Sequence, residues 1–244
     1  MAHSDSDNPQ KVPRIVLGVA AHPDDLDFSS AGTVATWAAA GAEVYYLVLT
    51  NGNKGSADRT ADPAALTELR RQEQRDAAAI LGVKDVFFCD YEDGALEVTM
   101  DVKRDIARII RQVRPEVVIT FDPCMLYNAD MGFINHPDHR AAGQATLDAV
   151  YPLARDHLSF PELYRDEGLE PHNVSAVLLA NFTNQNYHVN ITECFDTKIA
   201  AIMAHTSQVA DPEAMKNMMR TMASRIGASA GVSLAEGFMR IDIA

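Results

Sequence analysis

Along this chain, apolar runs of strand length alternate with longer segments whose apolar residues recur at helical spacing, and that alternation restricts the fold more than any other feature. The candidate strands are Ile15 to Ala21, Glu43 to Thr50, Val86 to Cys89, Glu116 to Phe121 and Val174 to Ala180. Several are apolar throughout rather than at every second position, as strands covered on both faces must be. Joined by helices, they predict an α/β fold: a Rossmann-like, mostly parallel sheet with helices on both faces, in a single domain. A chain of 244 residues suits one such domain, since single cores stop growing at about 250–300 residues. Residues 1–12 are polar and read as an N-terminal leader, with residues 13–244 as the folded domain.

Local signals place the helices. Asp62 caps a segment with Pro63 at its first position and Gly82 as its stop, and Leu66, Leu69 and Ile80 form the expected apolar face. Further helices cover Asp101 to Arg114, ended by Pro115, and His136 to Tyr151, with Pro137 in the first turn. The last opens at Asp211-Pro212 and reaches toward Gly227. Its Met215, Met218, Met219 and Met222 keep helical spacing and read as core, or else as the contact of a homo-oligomer, since methionine adapts to irregular surfaces.

Several partners are excluded by composition. Thirty-four acids against twenty-one bases leave a net charge of −13, without the cationic footprint that nucleic acid demands. No apolar run approaches the roughly 18–20 residues needed to cross a bilayer. The N-terminus lacks the charged-then-apolar pattern of an export signal, so the expectation is a cytoplasmic protein with no membrane partner. Cys89, Cys124 and Cys194 lie far apart with no C-x-x-C pair, which predicts no disulfide scaffold.

The first strand runs into Ala21-His22-Pro23-Asp24-Asp25, at the carboxyl end of a parallel strand, where open α/β sheets bind ligands. A second cluster, His136-Pro137-Asp138-His139, follows the fourth strand and a loop. Each alone is also an ordinary turn in which aspartate caps a helix. If the two meet, His22, Asp25 and His139 make a two-histidine, one-carboxylate set, suited to a zinc that keeps a position open for water, or to Fe2+ or another divalent ion. Asp24 and His136 remain as non-ligands, a carboxylate for general-base work and an imidazole for an oxyanion. The helix N-terminus favours neutral His136 while Asp138 favours its charged form, and the balance stays open. No G-x-G-x-x-G follows the first strand and no GK[ST] occurs, so a nucleotide cofactor is disfavoured.

The segments AHPDD (21–25), LTNG (49–52), RRQEQRDAAAILGV (70–83), RPEVVITFDP (114–123), HPDHRAAG (136–143) and KIAAIMAHTSQ (198–208) resemble, in order and spacing, successive blocks of the PIG-L/LmbE family of zinc-dependent de-N-acetylases. The resemblance implies one zinc per chain on His22, Asp25 and His139, with Asp24 as the base that later protonates the leaving amine. It implies that His136 steadies the tetrahedral intermediate, that Asp138 orients or tunes that histidine, and that Arg70 and Asp93 contact sugar hydroxyls. The implied reaction converts a small N-acetylglucosamine-type substrate to free amine and acetate. Leu26 stands where the family often has glutamate, and Asn190 where many relatives carry aspartate, which bears on a strand-end hydrogen bond. Residues Asp122 to Asn135 read either as a substrate-facing loop with aromatics for a sugar face, or as a segment pinned to the core by Met125, Leu126 and Phe133. Two other functions stand beside this one: a non-haem Fe(II) oxygenase, and a non-enzymatic carbohydrate or nucleotide binder.

Overall fold

Strand β1 (Ile15–Ala20) is buried over all but its first residue and sits in the middle of the sheet, with β2 (Glu43–Thr50) and β4 (Val117–Phe121) as parallel neighbours. The computed structural model describes residues 11–130 and 132–243, so most of the expected leader and Met131 of the loop before α4 lie outside the described residues. Between these strands run α1 (Asp25–Ala39), α2 (Pro63–Leu81), β3 (Asp85–Tyr91) and α3 (Met100–Val113). After β4 come a hairpin of two-residue strands β5 (Tyr127–Asn128) and β6 (Phe133–Ile134), then α4 (Pro137–Asp148), α5 (Pro161–Arg165) and β7 (Ala176–Ala180). The chain closes with β8 (Tyr187–Asn190), α6 (Phe195–Ala204), α7 (Pro212–Ala230) and β9 (Ala235–Asp242).

The seven-stranded sheet has the order β3-β2-β1-β4-β7-β9-β8, with the first five strands parallel and β9 antiparallel to both its neighbours. The parallel five are the expected ones; β8 and β9 are additions. Neither has a continuous apolar run: β8 is four residues long, and β9 mixes Glu236, Gly237 and Arg240 into its sequence. One core lies between the sheet and α1, α2, α6 and α7, and the other between the sheet and α3 and α4, which places helices on both faces. Among the described residues no helix is long and apolar enough to cross a membrane, and the three cysteines are free.

Two helices depart from expectation. Asp62 does cap α2 by accepting the Ala64 N–H, and Gly82 does end it in the left-handed conformation. Its inward face, however, is Thr67, Arg70, Glu73, Gln74, Ala77 and Leu81, whereas Leu69 and Ile80 are exposed. This helix backs the loop after β1 with hydrogen bonds, so polar residues take the inner positions. Helix α7 passes Gly227 and stops at left-handed Gly231. A Cβ at 227 would stand 2.7 Å from the Val232 carbonyl oxygen, so that glycine serves a close approach rather than a stop. Of the α7 methionines, Met219 is core and Met218 is exposed.

Strand order reverses at β1: β2 and β3 build outward on one side, and β4 lands on the other. The crevice beyond the carboxyl ends of β1 and β4 is the place where such sheets bind ligands.

Candidate functional site

Both polar clusters reach that crevice and meet. The His22 ring centroid is 4.7 Å from that of His136 and 5.3 Å from that of His139. Asp25 lies between, with Oδ1 3.0 Å from His139 Nε2 and Oδ2 3.5 Å from His22 Nδ1. The loop after β1 is strained at Asp24, whose φ of 95° is a left-handed value that costs a non-glycine residue about 1–3 kcal/mol. The strain is held in place by neighbours. The Asp24 N–H donates to Gln74 Oε1 (2.8 Å), and Arg70 donates to the Pro23 carbonyl (2.9 Å) and to Asp24 Oδ2 (3.3 Å). On the other side, Gly143 lets α4 approach β4, since a Cβ there would stand 2.3 Å from the Phe121 carbonyl oxygen. His139 then stacks on Phe121 at 4.4 Å.

Hydrogen bonds assign the imidazole protons. The Asn135 amide nitrogen donates to the Met125 carbonyl (2.8 Å), so its oxygen faces His139 Nδ1 (3.1 Å) and takes the proton there. His139 Nε2 is therefore bare and faces a carboxylate oxygen at 3.0 Å, an arrangement that requires a cation, a proton or a metal ion, between them. His22 Nε2 similarly faces Asp138 Oδ2 (3.2 Å) and Asp93 Oδ1 (3.3 Å), which leaves Nδ1 for Asp25 and an ion. The Asp138 N–H donates to His136 Nδ1 (3.2 Å), so neutral His136 carries its proton on Nε2.

Nitrogens of His22, His136 and His139 lie within 4.8 Å of one another, as do donor atoms of His22, Asp93 and Asp138. Neither grouping is the expected set of His22, Asp25 and His139. Asp93 and Asp138 are occupied by the Nε2 side of His22, and His136 Nδ1 by a main-chain N–H, which leaves His22 Nδ1 and His139 Nε2 both facing Asp25. The donors present, two imidazoles with orienting partners and a buried carboxylate, fit a divalent metal ion.

Electrostatics agree with that fit. Burial opposes a charge on His22, but Asp25, Asp138 and Asp93 outweigh it and hold its pKa up to about 12, so the site demands positive charge. Burial also opposes ionisation of Asp25, yet His139 and His22 hold it below the usual carboxylate range. Burial and the adjacent Asp25 push Asp24 up to about 7, against the pull of Arg70, His205 and His22. Burial and the repulsion of His22 lower His136, outweighing Asp138, which favours the neutral imidazole.

The expected residues thus come together, with two changes of detail. The Asp138 carboxylate is turned away from His136 (4.0 Å) toward His22 and the N–H groups of Gly94 (2.7 Å) and Leu96 (3.2 Å), so it meets His136 through its main chain. Arg70 is only 5 % exposed and donates to the carbonyls of Gly52, Lys54 and Pro23 besides Asp24. Asp93 is buried against His22 and accepts from the Lys54 N–H. Asn190 accepts from the Thr192 N–H and hydroxyl, closing the strand end that an aspartate would close. Of the loop aromatics, Phe133 meets Phe182 edge-on while Tyr127 is exposed.

A layer behind the site escaped the sequence analysis. Gln74 links Asp24 to Asp27, and Asp27 pairs with His205 at 2.7 Å, with Gln74, Asp27 and His205 out of solvent. Lys198 bonds Glu236 (2.6 Å), which also accepts the N–H groups of Gly32 and Thr33 in α1. Gln74, Lys198 and His205 lie within the motif blocks, so their signal existed only as block resemblance and not as chemistry.

This crevice, a candidate histidine and aspartate metal-binding cluster at the switch point of a doubly wound sheet, has the make-up of a hydrolytic site. Residues 17–150 match the family described as PIG-L: GlcNAc-PI de-N-acetylase. The chain belongs to that family, and the curated relatives it matches are named deacetylases, hydrolases acting on carbon–nitrogen bonds. It is 33% identical to a diacetylchitobiose deacetylase of Thermococcus kodakarensis over 91% of this chain and 81% of the relative. It is 29% identical to a probable N-acetyl-alpha-D-glucosaminyl L-malate deacetylase 2 of Bacillus anthracis, over 81% of this chain and 82% of that one. Among solved structures, the N,N'-diacetylchitobiose deacetylase of Pyrococcus horikoshii complexed with its inhibitor MPG is similar, with a TM-score of 0.88 and 32% identity over 98% of this chain and 88% of that one. Nothing in the fold or the relatives supports the oxygenase or the idle binder.

Proposed function

We propose that the chain is a zinc-dependent N-deacetylase that converts an N-acetylglucosamine-type sugar to its free amine and acetate. The observation that carries this reading is the convergence, at the β1/β4 switch point, of a metal donor set with two groups that are not donors, Asp24 and His136. His22, Asp25 and His139 would hold the ion. Bound there, zinc supplies a lowered pKa for water and polarisation of the amide carbonyl.

The protein's own groups do the rest. Asp24, with its pKa near neutrality, takes the proton of the attacking water and returns it to the leaving nitrogen as the carbon–nitrogen bond breaks. His136 donates from Nε2 to the developing oxyanion. Asp138 and Asp93 fix the tautomer and direction of His22. Arg70, its donors turned onto main-chain carbonyls and Asp24, acts by positioning that base, while Asp93, buried beside Arg70 and His22, would receive sugar hydroxyls. The sugar class is supported by the diacetylchitobiose and N-acetylglucosaminyl-malate deacetylases to which the chain is similar.

The test is free-amine release from N-acetylglucosamine, N,N'-diacetylchitobiose and N-acetylglucosaminyl malate by zinc-loaded and chelator-treated protein. Release from at least one, lost with chelator and restored by zinc, is expected. Release that survives complete metal removal, or none from any acetamido sugar, would overturn the proposal.

A further inference from the structure

The site has two unlike sides. On the His22 side stand the buried carboxylates of Asp93 and Asp138, with the ion pair of Lys54 and Glu92 exposed at the mouth beside them. On the His139 side a cavity of about 230 Å³ opens against Asp25 and His139 and is walled by Phe28, Phe121, Phe133, Phe182, Met219 and Met222. A smaller space of about 50 Å³ shares Phe182 and Met222 and reaches Ile226; its polar lining is paired within itself, Lys198 with Glu236 and the Gln185 amide with the Asn181 carbonyl.

The few polar groups on the cavity wall are turned on one another. Ser29 donates to the Asp25 carbonyl (2.9 Å), Asn135 is committed to Met125 and His139, and Asp25 accepts the His22 N–H (2.7 Å) besides facing His139. A sugar ring placed here would bring several hydroxyls against aromatic and thioether surface, each losing water without a partner. A hydrocarbon chain would lose nothing and gain burial, and the two flexible methionines would adapt to its length. The volume far exceeds what the methyl of an acetyl group fills.

We propose that this cavity is the acyl side of the site and that it takes the hydrocarbon chain of a linear N-acyl group longer than acetyl. This rests on the deacylation reading above and extends it: the chain is an N-deacylase of amino sugars with a preference for medium-length acyl amides. The balance is that of any amide hydrolysis. The carbon–nitrogen bond breaks, the oxygen of water goes to the acyl carbon, and a proton goes to the nitrogen, giving a fatty carboxylate and a free amino sugar. The sugar amine leaves on the polar His22 side.

Two measurements test it. In the first, kcat/KM of zinc-loaded protein is compared for N-acetyl, N-butyryl, N-hexanoyl and N-octanoyl glucosamine, with octyl N-acetylglucosaminide as the probe for an aglycone in the cavity. A gain of about fourfold per buried methylene is expected along the acyl series. Met222→Trp, which fills the cavity, should lower the hexanoyl-to-acetyl ratio at least tenfold, and Met219→Phe should lower it less. Hydrolysis of the acetyl amide with a flat or falling acyl series overturns the inference and leaves the deacetylase reading intact. So does a rate gain from the octyl aglycone that Met222→Trp removes. In the second, calorimetric titration with acetate, butyrate, hexanoate and octanoate reads the cavity without turnover. Affinity should rise with chain length in wild type and lose that dependence in Met222→Trp; affinity independent of length overturns the inference. Failure of the deacylation reading would appear separately, as no turnover of any amide alongside normal length-dependent titrations.

Discussion

The two loops that meet in the crevice are held by opposite means. Behind His22, Asp24 and Asp25 lies buried polar structure: Gln74 bridges Asp24 and Asp27, Asp27 pairs with His205, and Arg70 ties the strained turn to neighbouring carbonyls. Behind His139 lies packing: Phe121 stacks on the ring and Gly143 lets α4 come against the end of β4, with Asn135 adding a hydrogen bond at Nδ1. The first arrangement suits a loop that must keep a carboxylate at an unfavourable φ with a shifted pKa, because fixed dipoles and charges hold both at once. The second suits a histidine that has only to be aimed, beside a cavity that is largely apolar.

If both loops share one metal ion, removing the ligand of either must empty the site. His139→Ala is therefore expected to bind zinc orders of magnitude more weakly and to lose activity, read by metal content after gel filtration. Stoichiometric zinc in that variant would show that the packed side carries no ligand.

The unequal backing itself is tested by stability. Asp27→Ala leaves His205 buried without its partner and should cost about 3–5 kcal/mol in denaturant unfolding. Phe121→Leu keeps most of the volume and should cost about 1.5 kcal/mol or less. Equal losses would erase the contrast. The difference should also depend on pH. Burial opposes the charge on His205, but Asp27, Asp24 and Glu73 raise its pKa above the ordinary value of about 6.5. Its contribution is then fully present below about pH 6.5 and is lost as pH rises through the raised folded value. Unfolding free energies of wild type and His205→Gln should converge with rising pH, and a gap that widened would contradict the assignment.

What could be read from the sequence follows the same division. The five parallel strands were legible because each is an apolar run, and the start of α4 because Pro137 marks it. That the two motifs could meet was legible because each follows a strand of a parallel sheet, while the adjacency of β1 and β4 that brings them together is seen in the fold. The polar backing was not, because it joins residues far apart in sequence, such as Asp27 and His205, and because the inner face of α2 reads as a surface. There, Leu69 and Ile80 suggested a buried stripe, while Arg70, Glu73 and Gln74 occupy the inside. Strands β8 and β9 were missed for want of an apolar run, and the last helix runs past Gly227, which is a contact with the chain after α7. The Asp138 carboxylate could not be directed from spacing alone, since His22 and His136 both lie in reach of it.

The central claim is that Asp24 is the base of a metal-dependent amide hydrolysis and not a ligand of the metal. Asp24→Asn, assayed for zinc content and for free-amine release from N,N'-diacetylchitobiose in the same sample, tests it most directly. The account predicts one zinc per chain as in the wild type, with turnover lower by about 10²–10⁴-fold and the acid limb of the wild-type pH profile, at or below about pH 7, gone. Unchanged turnover, or loss of the zinc, would contradict it.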